Sequence, residues 1–153
     1  PKNQLSSLGI AAMFHDIGKA EIPRSILNKP SELNPKELEL IMRHPVDGVR
    51  ILIRAKDLSD ISVISMLVSL EHHINYDGSG YPDLTKKRTP NIFSRIITIA
   101  DYYDALISGK VYKRTVYSPE NALRFMHDKS GELFDPVLTR VFIKMLSGNS
   151  SSL

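Results

Sequence analysis

Four of the five histidines stand where imidazole chemistry is within reach. His15-Asp16 follows a mostly apolar stretch, His44 precedes Pro45, and His72-His73 are adjacent. Asp101 follows the apolar run Ile96-Ile97-Thr98-Ile99-Ala100. The intervals from Asp16 to His44, His44 to His72 and His73 to Asp101 are each 28 positions. No sequence similarity accompanies that spacing, so it is not a repeat. It predicts successive helices delivering ligands to one level of a bundle. A lone histidine at a helix end caps or packs more often than it ligates. Adjacent pairs resist that explanation, because an unpaired polar group beside an apolar face costs about 1–3 kcal/mol. Asp101 resists it too, since a carboxylate in an apolar stripe must be paired or bind metal. Imidazoles and carboxylates without sulfur suit iron, manganese or another borderline divalent cation. On residue chemistry alone, a metal site and mutual pairing both stand.

The elements that must position these groups read as helices. Leu5, Leu8, Ala11, Ala12 and Phe14 recur at helical spacing and lead into His15, with Gly18 as the helix end. Ile22-Pro23 and Lys29-Pro30 mark a loop, because the residue before proline avoids the α region. Asn34-Pro35-Lys36-Glu37 is a capped helix start that predicts a helix running to His44. Pro45 stands at its end or at the start of the next helix, over Val46 to Ile53. Ser59 or Asp60 caps a helix over Ile61 to His73. Asn75 to Pro82, with two glycines and a proline, is turn chemistry. Phe93 to Ile107 is helical, and Ser118-Pro119-Glu120 and Asp135-Pro136 open two more helices. Strand alternation is missing. The fold class is all-α: one domain over residues 1–146 with the site in the bundle core, then a frayed, flexible Gly/Asn/Ser-rich tail over 147–153.

Composition bounds the rest. A length of 153 residues fits one domain, and 42% hydrophobic with 24% charged residues excludes disorder over the whole chain. The absence of cysteine excludes disulfides, a zinc finger, an iron–sulfur cluster and a thiol nucleophile, and makes the reducing cytoplasm the simplest location. A net charge of +3 is weak ground for nucleic acid, so no DNA partner is expected. The apolar stretch Ile61 to Leu70 is broken by Ser62, Ser65 and Ser69 and falls short of the roughly 18–20 residues of a membrane span, so no membrane contact is expected.

His15-Asp16-Ile17-Gly18-Lys19, His44-Pro45-Val46-Asp47-Gly48, and His72-His73 followed by Asp77-Gly78-Ser79-Gly80-Tyr81-Pro82 resemble the HD-GYP family. That family is a branch of the HD-domain metal-dependent phosphohydrolases. Ile99-Ala100-Asp101-Tyr102-Tyr103-Asp104-Ala105-Leu106 and Gly131-Glu132-Leu133-Phe134-Asp135-Pro136 extend the resemblance, which covers Leu8 to Leu146. It implies a helical-bundle phosphodiesterase that hydrolyses cyclic di-GMP to pGpG or GMP in bacterial signalling. By position, His15, Asp16, His44, His72, His73 and Asp101 match the metal ligands of a binuclear or trinuclear iron or manganese centre. Asp16 and Lys19 match catalytic positions, Lys19 beside the nucleophile or the scissile phosphate. Tyr81, Asp104, Lys110 and Lys113 match positions that bind the nucleotide. Partners of such domains are GGDEF-type proteins, an N-terminal sensor or receiver domain, or a second copy in a homodimer.

The pattern departs from the family at several points. The family has Glu directly after the paired histidines, where this chain has Ile74. Its glycine-bearing loop after GYP is replaced by Asp83-Leu84-Thr85-Lys86-Lys87-Arg88-Thr89-Pro90. Its Arg-Pro before a later tyrosine is Lys110-Val111 before Tyr112, and lysine lacks the bidentate fork of arginine. A further ligand histidine precedes the HD pair in the family, whereas only fourteen residues precede His15, so a trimmed chain is expected. The alternative these departures favour is a degenerate module that binds nucleotide or a partner protein without turnover. His127 matches no ligand position and is expected at the surface.

Overall fold

A computed structural model describes residues 2–54, 60–108 and 116–148. In chain order they form α1 (Lys2–Phe14), a 3-10 turn (Ile17–Glu21), α2 (Arg24–Leu27), α3 (Pro35–Met42) and α4 (His44–Arg54). Then follow α5 (Asp60–Glu71), α6 (Ile92–Ile107), α7 (Pro119–Asp128) and α8 (Pro136–Leu146). Among the described residues there is no strand, only isolated bridges at Ile74–Gly80 and Ser130–Phe134. The fold is all-α, as expected.

Helix starts are written locally. Asn34 Oδ1 accepts from the Glu37 N–H at 2.9 Å while Glu37 Oε2 accepts from the Asn34 N–H at 2.8 Å, a capping box that opens α3. Ser118 caps α7 and Asp135 caps α8, each with proline in the first turn, and Asn91 caps α6.

Three boundaries differ from expectation. α1 ends at Phe14, and Gly18 lies inside the following 3-10 turn. There a Cβ would stand 1.9 Å from the His44 carbonyl oxygen, so glycine is required for close approach to α4 and does not serve as a cap. His44 opens α4 and does not end α3, because Pro45 cannot continue a helix through its missing N–H but fits a first turn. α5 stops at Glu71, one residue before the paired histidines. Asp60 is the first residue of α5, while a cap at Ser59 and the tail beyond Gly148 lie outside the described residues.

Two apolar clusters flank α6. Ala11 of α1, Val68 of α5 and Ile97 of α6 pack together on one side, with Leu8, Ile64 and Phe93 around them. On the other side Ile99 and Leu106 of α6 meet Ala122 and Met126 of α7 and Phe134 before α8. The site forms where the ends of α1 and α5 and the start of α4 meet the middle of α6.

Candidate metal centre

One device aims three imidazoles. His15 Nδ1 donates to the Ala12 carbonyl at 2.6 Å, His44 Nδ1 to Ile41 at 2.7 Å, and His72 Nδ1 to Ser69 at 2.9 Å. Each acceptor lies three residues back, in the last turn of α1, α3 or α5, where carbonyls run out of intrahelical donors. With the proton on Nδ1, the Nε2 of His44 and His72 carries a lone pair, while Asp101 and Asp16 hold His15 in its protonated form until a cation takes the place of that proton. Capping and ligation, which compete as explanations in sequence, are here the two ends of the same ring.

The three Nε2 atoms converge on Asp16. His44 Nε2 lies 3.2 Å from His72 Nε2, and Asp16 Oδ1 is 3.3 Å from the first and 3.6 Å from the second. The other oxygen faces elsewhere: Asp16 Oδ2 is 3.3 Å from His15 Nε2 and accepts from Lys19 Nζ at 2.5 Å. Ligand atoms of Asp16, His44, His72 and His73 all lie within 4.8 Å of one another. Asp101 Oδ1 adjoins on the His15 side, 3.9 Å from Nε2. All six residues expected as ligands therefore meet, in two groups that share one carboxylate.

The donor set fits a divalent cation. His15 Nε2 and Asp16 Oδ1 are buried without a hydrogen-bond partner, and buried polar atoms in that condition are rare. With both Nδ1 atoms bonded to carbonyls, the two Nε2 atoms at 3.2 Å turn lone pairs toward each other, a repulsion that a shared cation relieves. Nitrogen and oxygen donors without sulfur suit borderline and harder divalent metals.

Charge distribution agrees. Burial works against the ionised Asp16 carboxyl, but the proximity of His15, His44 and His72 and the bond from Lys19 outweigh it and hold the group well below the usual carboxylate range. Burial lowers His72 and, with repulsion from His72 and His44, pushes His73 down to about 2, so both rings stay neutral. His15 goes the other way: burial opposes its charged form, yet Asp101 and Asp16 hold its pKa at about 10.

One wall of the site is the glycine loop. Gly78 and Gly80 have φ of +82° and +92°, and a Cβ on Gly80 would stand 2.3 Å from the His73 carbonyl oxygen. That approach lets the Tyr81 N–H donate to His73 O at 3.1 Å and stacks the Tyr81 ring on His73 at 4.6 Å between centroids. The loop is bolted to the chain before α8 by Tyr76 N–H to Leu133 O and Asp77 N–H to Glu132 O, both 3.1 Å. Burial, with the charges of Asp16 and Asp101, raises the Tyr81 hydroxyl, which stays protonated.

Of the nucleotide-binding residues expected, Tyr81 is at the site and Asp104 is exposed one turn beyond Asp101. Lys110 and Lys113 lie outside the described residues. Ile74 is buried, and His127 is exposed as expected. Sequence reasoning missed Glu71. Its carboxylate is fully buried and accepts from Arg88 Nη2 at 2.5 Å, the Asn91 N–H at 2.8 Å and Ser94 Oγ at 2.9 Å. The signal was present: an acid closing an otherwise apolar helix raises the same question as Asp101.

A model of the HD domain family matches residues 1–138. The chain is 39% identical over 142 residues to a cyclic di-GMP phosphodiesterase of Thermotoga maritima, covering 92% of this chain and 38% of the relative. It is 36% identical over 144 residues to a cyclic di-GMP phosphodiesterase of Pseudomonas aeruginosa, covering 94% and 34%. It is 34% identical over 134 residues to a 3'3'-cGAMP-specific phosphodiesterase of Vibrio cholerae, covering 88% and 25%. The chain spans about a third of the length of the first two relatives. With the family match and the His-Asp and Gly-Tyr-Pro motifs gathered at one site, this chain belongs to the HD domain family, in its HD-GYP branch.

Proposed function

We propose that residues 1–146 form a metal-dependent phosphodiesterase domain that hydrolyses cyclic di-GMP to pGpG or GMP. The observation that carries this is the division of Asp16 between two groups of ligands, His44 and His72 on Oδ1 and His15 on Oδ2. A carboxylate so placed can serve two cations. His44, His72 and His73 would hold one and His15 with Asp101 the other, with iron or manganese matching the donors. Such a pair supplies a nucleophile available at neutral pH and neutralises phosphoryl charge in an in-line displacement.

The chain's own residues supply the remainder. Lys19, anchored on Asp16 Oδ2, carries positive charge to the edge of the cluster where a phosphodiester gathers negative charge. Tyr81 stays protonated and offers a ring face and a hydroxyl beside His73. Asp104, Lys110 and Lys113 are assigned to the nucleotide from the family pattern. A GGDEF-type protein or an N-terminal sensor or receiver domain are the protein partners of this reading, and a homodimer its oligomer. Among the described residues no helix is long and apolar enough to cross a membrane.

The test is direct. Protein loaded with Mn(II) or Fe(II) is incubated with cyclic di-GMP, and linear pGpG and GMP are followed by chromatography. Metal uptake without product would favour the non-catalytic alternative that Ile74 and the altered loop raise. Similarity to a 3'3'-cGAMP-specific relative favours a second substrate, so 3'3'-cGAMP is run in parallel. Turnover of that nucleotide alone would replace cyclic di-GMP in this proposal.

A further inference from the structure

Glu71 sits outside the ligand cluster but bonds the end of the loop and the start of the helix beside it. Its fully buried carboxylate binds three donors from two other segments: the Arg88 side chain, the Asn91 backbone and the Ser94 hydroxyl. The next residue is held by the same helix, as Thr98 Oγ1 donates to the His72 carbonyl at 2.8 Å. Ser94, Thr98 and Asp101 fall at i, i+4 and i+7, one face of α6. That face therefore meets Glu71, then His72, then His15 on successive turns.

Arg88 adds the loop to this arrangement. The segment that leaves at His73 carries Tyr81 past the site and returns at Arg88, whose guanidinium bonds Glu71 at 2.5 Å. Gly78, at the loop's turn, faces the Arg88 backbone: a Cβ there would stand 3.3 Å from Arg88 N. The two ends of the excursion are thus tied at Glu71 and at the His73 carbonyl. The Arg88 side chain is 53% exposed while Glu71 is 1% exposed, so the tie runs from the surface to a buried carboxylate.

We propose that Glu71 and Arg88 are a positioning pair: Glu71 fixes the His72-His73 corner against α6, and Arg88 latches the Tyr81 loop over the same corner. Neither touches the reacting atoms. The latch sets the occupancy of the Tyr81 wall and hence nucleotide affinity, while the ligands keep their metal. This rests on the nucleotide reading of the site only for its affinity readout.

The experiment compares Arg88→Ala and Arg88→Lys with the unaltered protein in metal content, melting temperature, cleavage by a lysine-specific protease at the exposed Lys86 and Lys87, and steady-state kinetics on cyclic di-GMP. Loss of one charge-assisted bond opens the loop about tenfold more often, so Arg88→Ala is cleaved about tenfold faster. KM rises by about the same factor with kcat within about twofold, the pattern of lost uniform binding. Metal per chain stays at the unaltered value, and the KM of Arg88→Lys, whose added lysine keeps it out of the cleavage comparison, falls between the two. Unchanged cleavage in Arg88→Ala overturns the proposal, as does loss of metal in step with a fall in melting temperature. Cleavage and metal content are read whether or not any cyclic dinucleotide is hydrolysed, so failure of the latch and failure of the phosphodiesterase reading give different results.

Discussion

His44 Nε2 and His72 Nε2 face each other at 3.2 Å, each ring fixed by its Nδ1 bond to a helix-end carbonyl. With each Nδ1 proton given to a carbonyl, the two Nε2 lone pairs face each other. A cation bound there joins the ends of α3 and α5 and binds the native fold alone. At about a hundredfold excess over its Kd it adds about 2.7 kcal/mol, or roughly 5–10 °C of melting temperature for a chain of this size. Scanning fluorimetry with and without chelator measures this. Coincident melting curves in a protein whose metal content has been verified would count against the assignment.

The two ligand groups predict separable losses. His72→Ala removes a donor from the Asp16–His44–His73 cluster, whereas Asp101→Ala acts on the His15 side. In a binuclear centre each substitution lowers bound metal by about one ion per chain, and the double variant by about two. Elemental analysis after gel filtration decides. Full metal content in both single variants would make the ligand set wrong.

The metal-free chain is weakened by pH in both directions. His15 is raised to about 10 in the fold, so its contribution is complete below the ordinary histidine pKa of about 6.5 and is lost as pH climbs towards 10. His72 and His73 are lowered, so theirs is present above about 6.5 and lost as pH falls. Chelated protein is therefore expected to melt highest near neutrality and lower at pH 5 and pH 9. A melting temperature flat from pH 5 to pH 9 would contradict these shifts.

Two glycines separate close approach from mere helix cost. A Cβ at Gly18 would stand 1.9 Å from His44 O and 2.5 Å from Gly48 N, both backbone atoms that cannot swing aside. Gly18→Ala should cost about 1–3 kcal/mol and displace His44 enough to weaken metal binding. Gly9, within α1, has nothing within 4 Å of its would-be Cβ, so Gly9→Ala should stabilise by about 0.5–1 kcal/mol. Urea denaturation of both variants checks the opposite signs.

Among the described residues Lys19 Nζ bonds Asp16 and no second candidate ligand. Lys19→Ala is expected to keep metal and lower kcat on cyclic di-GMP about a hundredfold, the scale of removing one donor aimed at developing charge. An unchanged kcat would leave Lys19 with a structural role alone.

Much of this was readable in the chain. Asn34, Ser118 and Asp135 announced their helices, because a cap is a contact between residues three apart and needs no tertiary knowledge. Ionisable side chains beside apolar runs raised the question of a partner, and the family resemblance named the six candidate ligands, which the fold brings to one place. Glu71 was not read, since its donors lie 17, 20 and 23 residues away across a loop whose path no local rule fixes. The Gly18 placement failed for a similar reason: its neighbour is the backbone of His44, a contact that local spacing does not reveal.

The shared use of each imidazole ties metal occupancy to helix fraying. Losing the ion frees Nε2, and a ring that swings to water takes its Nδ1 from Ala12, Ile41 or Ser69. The last turns of α1, α3 and α5 would then open together, and their amide protons would exchange with solvent faster in the metal-free protein. Hydrogen exchange at three helix ends distant in sequence would thus record, from the backbone alone, whether the centre is filled.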